Sequence, residues 1–266
     1  MTRVYADPVI DGFDLEGLRA LITGGSTGIG AATARRFVAA GAEVAVVARR
    51  SDVLRDLKAE LGSGCHVISA DLADGEAIES VVATAVEMLG GLDVLINGAA
   101  RADWMPFEDL DRSTFDAMIS LNVWAPLRLV QLARPHLLQS AHPVVVTIGS
   151  VDAERPSPGA VAYGATKAAL AATTVALAKE LAPIRFVQVH PGLIDTPMVA
   201  DVKADIDAHG DLFNLAGRFG RPEEVAGLIH YLASPLGRFA NGNVFRVDGG
   251  ALVMGPFDAT RKRDTS

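Results

Sequence analysis

Residues 19–30 read Arg19-Ala20-Leu21-Ile22-Thr23-Gly24-Gly25-Ser26-Thr27-Gly28-Ile29-Gly30. A short apolar run enters a glycine-rich turn, and the turn opens into an Ala-rich helical stretch. Glycines at Gly24, Gly28 and Gly30 let a backbone turn tightly and come close to a pyrophosphate, whose charge is favoured by the free N–H groups at a helix start. Such a turn on its own also occurs in other nucleotide and methyl-donor folds, so its surroundings must decide.

Working outward, branched apolar runs at 19–23, 43–48, 66–70, 93–97, 144–148, 185–190 and 243–247 alternate with helical stretches at 29–40, 53–61, 75–89, 113–138, 160–181 and 222–233. Parallel strands joined by crossover helices produce this alternation, which predicts an α/β Rossmann-type doubly wound sheet of seven strands. Residues 15–253 are expected to form one domain, with an extension at 1–14 and a tail at 254–266. The stretch 196–220 breaks the rhythm with mixed charged and apolar residues and reads as a small lid beside the strand ends. Within 113–138, Pro126 removes a helical bond to the Asn122 carbonyl, so a kink is expected there.

The 266 residues carry a net charge of -8, and half are hydrophobic. An acidic chain suits neither phosphate neutralisation nor a nucleic-acid surface, and its densest basic cluster, Arg261 to Arg263, sits in the tail. A single cysteine, Cys65, excludes an internal disulfide and a Cys-based metal site, which suits a reducing cytoplasm. The most apolar later window, 170–178, is short, Ala- and Thr-rich and flanked by lysines, so no membrane span is expected.

Three groups could move a proton to or from a carbonyl oxygen. Tyr163 and Lys167 lie one helical step apart in Tyr-Gly-Ala-Thr-Lys, so the ammonium would stand near the phenol and lower its pKa. Ser150, at a strand end, supplies a hydroxyl from the other side. A buried tyrosine beside a snorkelling lysine would account for the pair equally simply. At the end of the second strand the sequence is Val-Ala-Arg49-Arg50-Ser, with Ala48 where an NAD-binding acid would stand. Arg49 there favours NADP over NAD, Arg50 being the second choice, although both could be solvated starts of a surface helix. Asp71 and Leu72 after the third strand, and Asn97, Gly98 and Ala99 after the fourth, fall at carboxyl ends where ligands of open sheets bind. Asp71 could instead cap a helix. The six histidines form no metal motif, and His190 reads as a satisfied, partly buried side chain. Ser150 lacks the Gly-x-Ser-x-Gly setting of a hydrolase nucleophile.

Taken together, these motifs resemble the classical short-chain dehydrogenases/reductases over residues 15–252. Residues 23–30 match the family's Thr-Gly-x-x-x-Gly-x-Gly loop, with Thr23, Ser26, Thr27 and Ile29 among its cofactor contacts. Asn122, Ser150, Tyr163 and Lys167 match its catalytic set. Pro191, Gly192, Ile194 and Thr196 match its nicotinamide-side turn, and Val-Asp-Gly-Gly at 247–250 matches its closing stretch. One departure is Asn97-Gly98-Ala99-Ala100 in place of Asn-Asn-Ala-Gly, from which changed local rigidity is expected. The resemblance implies hydride transfer between nicotinamide and a ketone or secondary alcohol, with Tyr163 as acid/base. Lys167 would also bind the nicotinamide ribose, and a water on the Asn122 carbonyl would extend a proton path. It also implies a homo-oligomer, dimer or tetramer, paired through the helix at 160–181 and the one before it. An NAD-dependent secondary-alcohol dehydrogenase and a non-catalytic cofactor-binding regulator stay open as alternatives, though the latter commonly lacks the tyrosine or lysine. Candidate substrate-wall residues are Trp104, Met105, Asp152, Glu154, Arg155, Leu193, Met198 and Phe213. Trp104 and Met105 could also be core or interface, and Asp152 and Glu154 could simply face water.

Overall fold

The computed structural model describes residues 12–209 and 214–254. Phe213, the cluster at 261–263 and most of the expected extension and tail lie outside the described residues. The strands are β1 (Arg19–Thr23), β2 (Glu43–Ala48), β3 (Cys65–Ser69), β4 (Val94–Asn97), β5 (Val144–Ile148), β6 (Arg185–Pro191) and β7 (Val244–Val247). They form one seven-stranded sheet in the order β3-β2-β1-β4-β5-β6-β7. Every pairing is parallel. The order reverses between β1 and β4, and the crevice at such a switch point is where open α/β sheets take their ligands.

Period-two alternation sends successive strand side chains to opposite faces. Ala20, Ile22, Val44, Val46, Val94 and Ile96 join one buried core with Phe37, Leu54 and Ile229. Those come from α1 (Gly28–Ala39), α2 (Ser51–Leu61) and α8 (Pro222–Ala233). Leu21, Ala45, Val47 and Leu95 turn the other way, onto Ile78, Val82, Leu129 and Leu137. Those come from α3 (Gly75–Leu89) and α5 (Ala125–Leu137). Both faces of the sheet are therefore dry, which explains why the strands read as continuous apolar runs.

The stretch expected as one kinked helix is three pieces: α4 (Arg112–Ile119), a π-helical turn Ser120–Trp124, and α5. Ala125 N–H donates to the Ser120 carbonyl, five residues back. Pro126 has no N–H for the Asn122 carbonyl, and one extra residue in the turn accommodates the defect. β3 begins and ends one residue earlier than expected, and β4 and β7 each begin one residue later.

The helix α6 (Val161–Glu180) has 20 residues and a mean hydropathy of 1.3, long and apolar enough by composition to cross a membrane, contrary to the shorter window read from sequence. Here it packs against β6 and the π-helical turn. The lid segment contains α7 (Ala200–His209), preceded by a short turn at Pro197–Val199.

Candidate active site

The carboxyl ends of the strands open into one cleft of about 860 Å³. Its cofactor end is shaped by contacts that leave no room for larger residues. Gly24 has φ +66°, and a Cβ there would stand 2.6 Å from the Gly98 carbonyl oxygen. Gly98 in turn would bring a Cβ to 2.7 Å from the Thr23 carbonyl oxygen. The Gly98 departure therefore has a packing reason: it lets the loops after β1 and β4 touch. Thr27 caps α1 without a side-chain hydrogen bond, so the first-turn N–H groups keep their donor capacity. These N–H groups, beside a cradle that only glycine permits, fit a pyrophosphate.

Gly24, Ser26, Thr27, Gly28, Ile29 and Gly30 line this end, with Arg49, Arg50, Asp71, Leu72, Gly98 and Ala99. Arg49 Nη1 lies 3.9 Å from Asp71 Oδ2, and the Arg49 side chain is 73% exposed. A guanidinium held so loosely is free to turn to a phosphate. Asp71 also accepts from Ala73 N–H at 3.0 Å within the turn before α3, but the helix cap is Asp74, which accepts from Glu76 N–H, so of the two readings of Asp71 it is the cleft reading that holds. Pro191, Gly192, Leu193, Ile194, Thr196 and Met198 line the cleft from the β6 side. Thr196 closes against the glycine loop, its Cγ2 2.9 Å from where a Gly28 Cβ would be.

Ser150, Asp152, Tyr163, Lys167 and Trp104 meet at the other end of the same cleft. Tyr163 and Lys167 are buried on α6. Lys167 Nζ donates to the Ile148 carbonyl at 2.9 Å and stands 5.6 Å from the Tyr163 ring centroid. Burial lowers the Lys167 pKa to about 8. Burial also pushes the Tyr163 phenol well above its ordinary range; hydrogen bonding to Ser150 opposes this, and the Asp152 charge adds to it. The expectation that Lys167 brings the phenol down is not met in this structure, where desolvation is the largest influence on Tyr163 and Lys167 is itself disfavoured as a cation by burial. Tyr163 is held as an acid.

The Ser150 hydroxyl donates to Asp152 Oδ2 at 3.3 Å and accepts from Asp152 N–H at 3.1 Å. Asp152 Oδ1 accepts from both N–H and Oγ of Ser157 at 2.9 Å. Asp152 thereby fixes the Ser150 hydroxyl beside Tyr163, whose phenol Ser150 pulls back toward its ordinary range.

Three expected site residues stand behind the cleft wall. Thr23 is 1% exposed, and its Oγ1 donates to the Ile96 carbonyl and accepts from Gly98 and Ala99 N–H. Asn97 is buried in β4. Asn122 is fully buried; its side chain joins both backbone groups of Arg101 at 2.8 Å and donates to Thr166 Oγ1 at 3.1 Å. The side chains of Thr23 and Asn122 are consumed in fastening the β4 loop to β1 and α6, whereas the buried Asn97 Oδ1 has no hydrogen-bond partner among the described residues. Met105 donates its N–H to the Gly159 carbonyl and does not line the cleft. Glu154 turns away, pairing with Arg246 and, at 3.0 Å, with His190 Nδ1. His190, read as satisfied and partly buried, is 1% exposed; its Nδ1 has Glu154, but its Nε2 has no hydrogen-bond partner among the described residues. Unforeseen were Val151, Val202, Ile206 and Leu252, which line the cleft. The four-residue spacing of Val202 and Ile206 in α7 was the available signal.

Comparison with known proteins agrees with this geometry. Residues 24–251 match the family model described as enoyl-(acyl carrier protein) reductase. The 3-oxoacyl-(acyl-carrier-protein) reductase of Thermotoga maritima is 32% identical over 244 residues, spanning 90% of this chain and 99% of that protein. The gluconate 5-dehydrogenase of Gluconobacter oxydans is 33% identical over 250 residues, spanning 91% of this chain and 98% of that protein. A short-chain dehydrogenase from Burkholderia cenocepacia, solved in complex with NADP, superposes with a TM-score of 0.83 at 36% identity, covering 90% of this chain and 99% of that one. Full-length relatives of this kind, on the same sheet, make the protein an NAD(P)-dependent oxidoreductase of the classical short-chain dehydrogenase/reductase family, acting on CH–OH and C=O groups.

Proposed function

We propose that the protein is an NADP(H)-dependent reductase of ketones, with the secondary alcohol as product and Tyr163 as the general acid. The observation that carries this reading is the meeting of Tyr163, Ser150 and Lys167 in the cleft that also holds the glycine loop and Arg49. A bound nicotinamide supplies the hydride that goes to the carbonyl carbon. Tyr163 gives its phenolic proton to the carbonyl oxygen as charge develops there. Ser150 turns its hydroxyl from Asp152 to that oxygen and holds it. Lys167 returns a proton to the phenolate side of the site, and the Asn122 carbonyl, which Pro126 cannot serve, offers a place for a relaying water. Arg49 would hold the 2′-phosphate of NADP.

The chain is further proposed to pair with itself through α5 and α6, where Trp124 just before α5 and Val161 and Val175 on α6 leave apolar surface exposed. A reducing cytoplasm suits its single buried thiol, Cys65. Oxidation of NADPH and NADH in parallel against ketones and aldehydes tests the catalytic reading. NADPH should be preferred, and Arg49→Ala should weaken NADPH by about tenfold while leaving NADH nearly unchanged. Equal loss on both cofactors would remove Arg49 from phosphate recognition.

A further inference from the structure

The two ends of the cleft are built from different chemistry, and the substrate end is apolar beside the proton donor. Trp104 sets its indole 5.8 Å, centroid to centroid, from the Tyr163 ring, with the planes tilted by 54°. It keeps 37% of its surface exposed and lines the cleft. Met198, Val202, Leu193 and Val151 line the same end. A polyol entering there would lose hydration with few partners in return, whereas a flat apolar group gains area on the indole.

The charges in this part of the cleft are unevenly placed. Asp152 is 8% exposed, with its Oδ2 3.3 Å from Ser150 Oγ, the hydroxyl that meets the reacting oxygen. Its four polar contacts are Ser150 Oγ as donor, its own N–H to that oxygen, and Ser157 N–H and Oγ. No cation forms an ion pair with it among the described residues. The two cations that share this part of the cleft are held toward backbone oxygens, the Arg155 guanidinium donating to the Ala251 carbonyl and the Lys167 ammonium to the Ile148 carbonyl. An acid group on the carbon next to the carbonyl would therefore meet like charge where water is scarce.

Resting on the reading that Tyr163 and Ser150 hold the reacting oxygen, we infer that the substrate is a neutral ketone bearing an aryl or similarly flat apolar group. That group packs on Trp104, and Asp152 excludes carbonyl compounds carrying an anion on the adjacent carbon. Trp104 and Asp152 are then specificity-determining residues of the same chamber.

The test compares NADPH-dependent reduction of acetophenone, phenylglyoxylate and dihydroxyacetone, which present an aryl ketone, its anionic analogue and a small polyol. Acetophenone should exceed each of the others in kcat/KM by about tenfold or more. Trp104→Ala should lower the acetophenone value by about tenfold with dihydroxyacetone little changed, and Trp104→Phe should restore most of it. Asp152→Asn should raise phenylglyoxylate relative to acetophenone by about tenfold. Ser157→Ala, which loosens the same turn without changing its charge, should leave that ratio alone. Wild-type preference for phenylglyoxylate or dihydroxyacetone overturns the inference, as does an unchanged ratio in Asp152→Asn. If none of the three turns over, quenching of tryptophan emission with NADP present must still rank acetophenone above phenylglyoxylate, and failure to bind acetophenone also overturns it. Tyr163→Phe separates the two possible failures. Full turnover in that variant sinks the tyrosine mechanism, whereas lost turnover there with a wild-type preference for phenylglyoxylate sinks only the substrate class.

Discussion

The turn between β5 and α6 has two sides, and they treat charge in opposite ways. Toward the cleft, Tyr163, Lys167 and Asp152 are buried, and none of the three has an ion-pair partner among the described residues. Toward β7, Glu154 is shared by Arg246 and His190, and every charge in the group is matched. Asp152 and Glu154 are two residues apart in sequence. Unmatched buried charge is costly and is found where chemistry needs shifted pKa values, while matched charge fastens structure. Changing residues on the two sides should therefore give different kinds of result: altered turnover and pH dependence on the cleft side, and a small change in stability alone on the other.

The largest effect belongs to Tyr163→Phe. The ring and its contact with Trp104 remain, and only the proton donor goes, so turnover should fall by about 10²–10⁴-fold. Cofactor binding, followed by NADPH fluorescence, should be retained. Loss of binding together with activity would place Tyr163 in the architecture of the cleft and not only in its chemistry.

Next is Lys167→Met, where activity and stability should move in opposite directions. The Lys167 pKa falls from 10.5 to about 8 on burial. The shift corresponds to about 3 kcal/mol of destabilisation by the buried ammonium. Part of that is given back through the lost bond to the Ile148 carbonyl. The sign follows from the protons bound: between pH 8 and 10.5 the unfolded chain holds more of them, so native stability rises with pH across that window. The methionine variant should therefore melt higher than the wild type at pH 7 while losing most turnover. The gap in melting temperature should close as pH rises past the unfolded value. A variant that melts lower at pH 7 would mean that the bond to Ile148 outweighs the buried charge.

How much of this division could be read in the sequence differs residue by residue. The glycine loop, β1, β2 and α6 were legible because backbone turns and continuous apolar runs have local signatures that packing leaves intact. Tyr163, Lys167 and Ser150 were legible because spacing along a helix and position at a strand end carry geometry. The side-chain bonds of Asn122 and Thr23 were not, because a short polar side chain serves a cleft and a buried backbone group equally well, and only the tertiary contact to Arg101 or Gly98 decides. The same limit explains Asp152 and Glu154, whose directions depend on the fold of the turn. The Tyr163 pKa was misread for another reason: the helical step shows the nearby ammonium but not the depth at which both groups are buried.

Asp152→Asn should have a smaller effect on turnover, and besides its effect on substrate choice it should change the pH dependence. Its charge adds to the elevation of the Tyr163 phenol, so removing it lets tyrosinate form at lower pH. The rising limb of the alcohol-oxidation profile should move toward acid. Ser157→Ala should reduce the rate without moving that limb, since it disturbs the turn and leaves the charge. A limb that stays in place in Asp152→Asn would assign Asp152 to the turn alone.

The smallest effect is expected on the matched side. Glu154→Gln removes the charge that holds Arg246 and His190, yet its side chain is 30% exposed and that of Arg246 is 49% exposed, so screening leaves about 1 kcal/mol or less. The Arg246 guanidinium, helped by His190, keeps the Glu154 carboxyl below its ordinary range, although burial opposes this. A carboxylate depressed in the folded state contributes stability above its unfolded pKa and loses it as pH falls through the folded value. Thermal melts should thus show a small deficit for Glu154→Gln at pH 7 that shrinks as the buffer is taken below the carboxylate range. Activity and its pH profile should stay near wild type. A shifted profile in this variant would mean that the two sides of the turn are electrically joined, with His190 as the connecting group, since it is the member of the matched side whose proton affinity Lys167 also lowers.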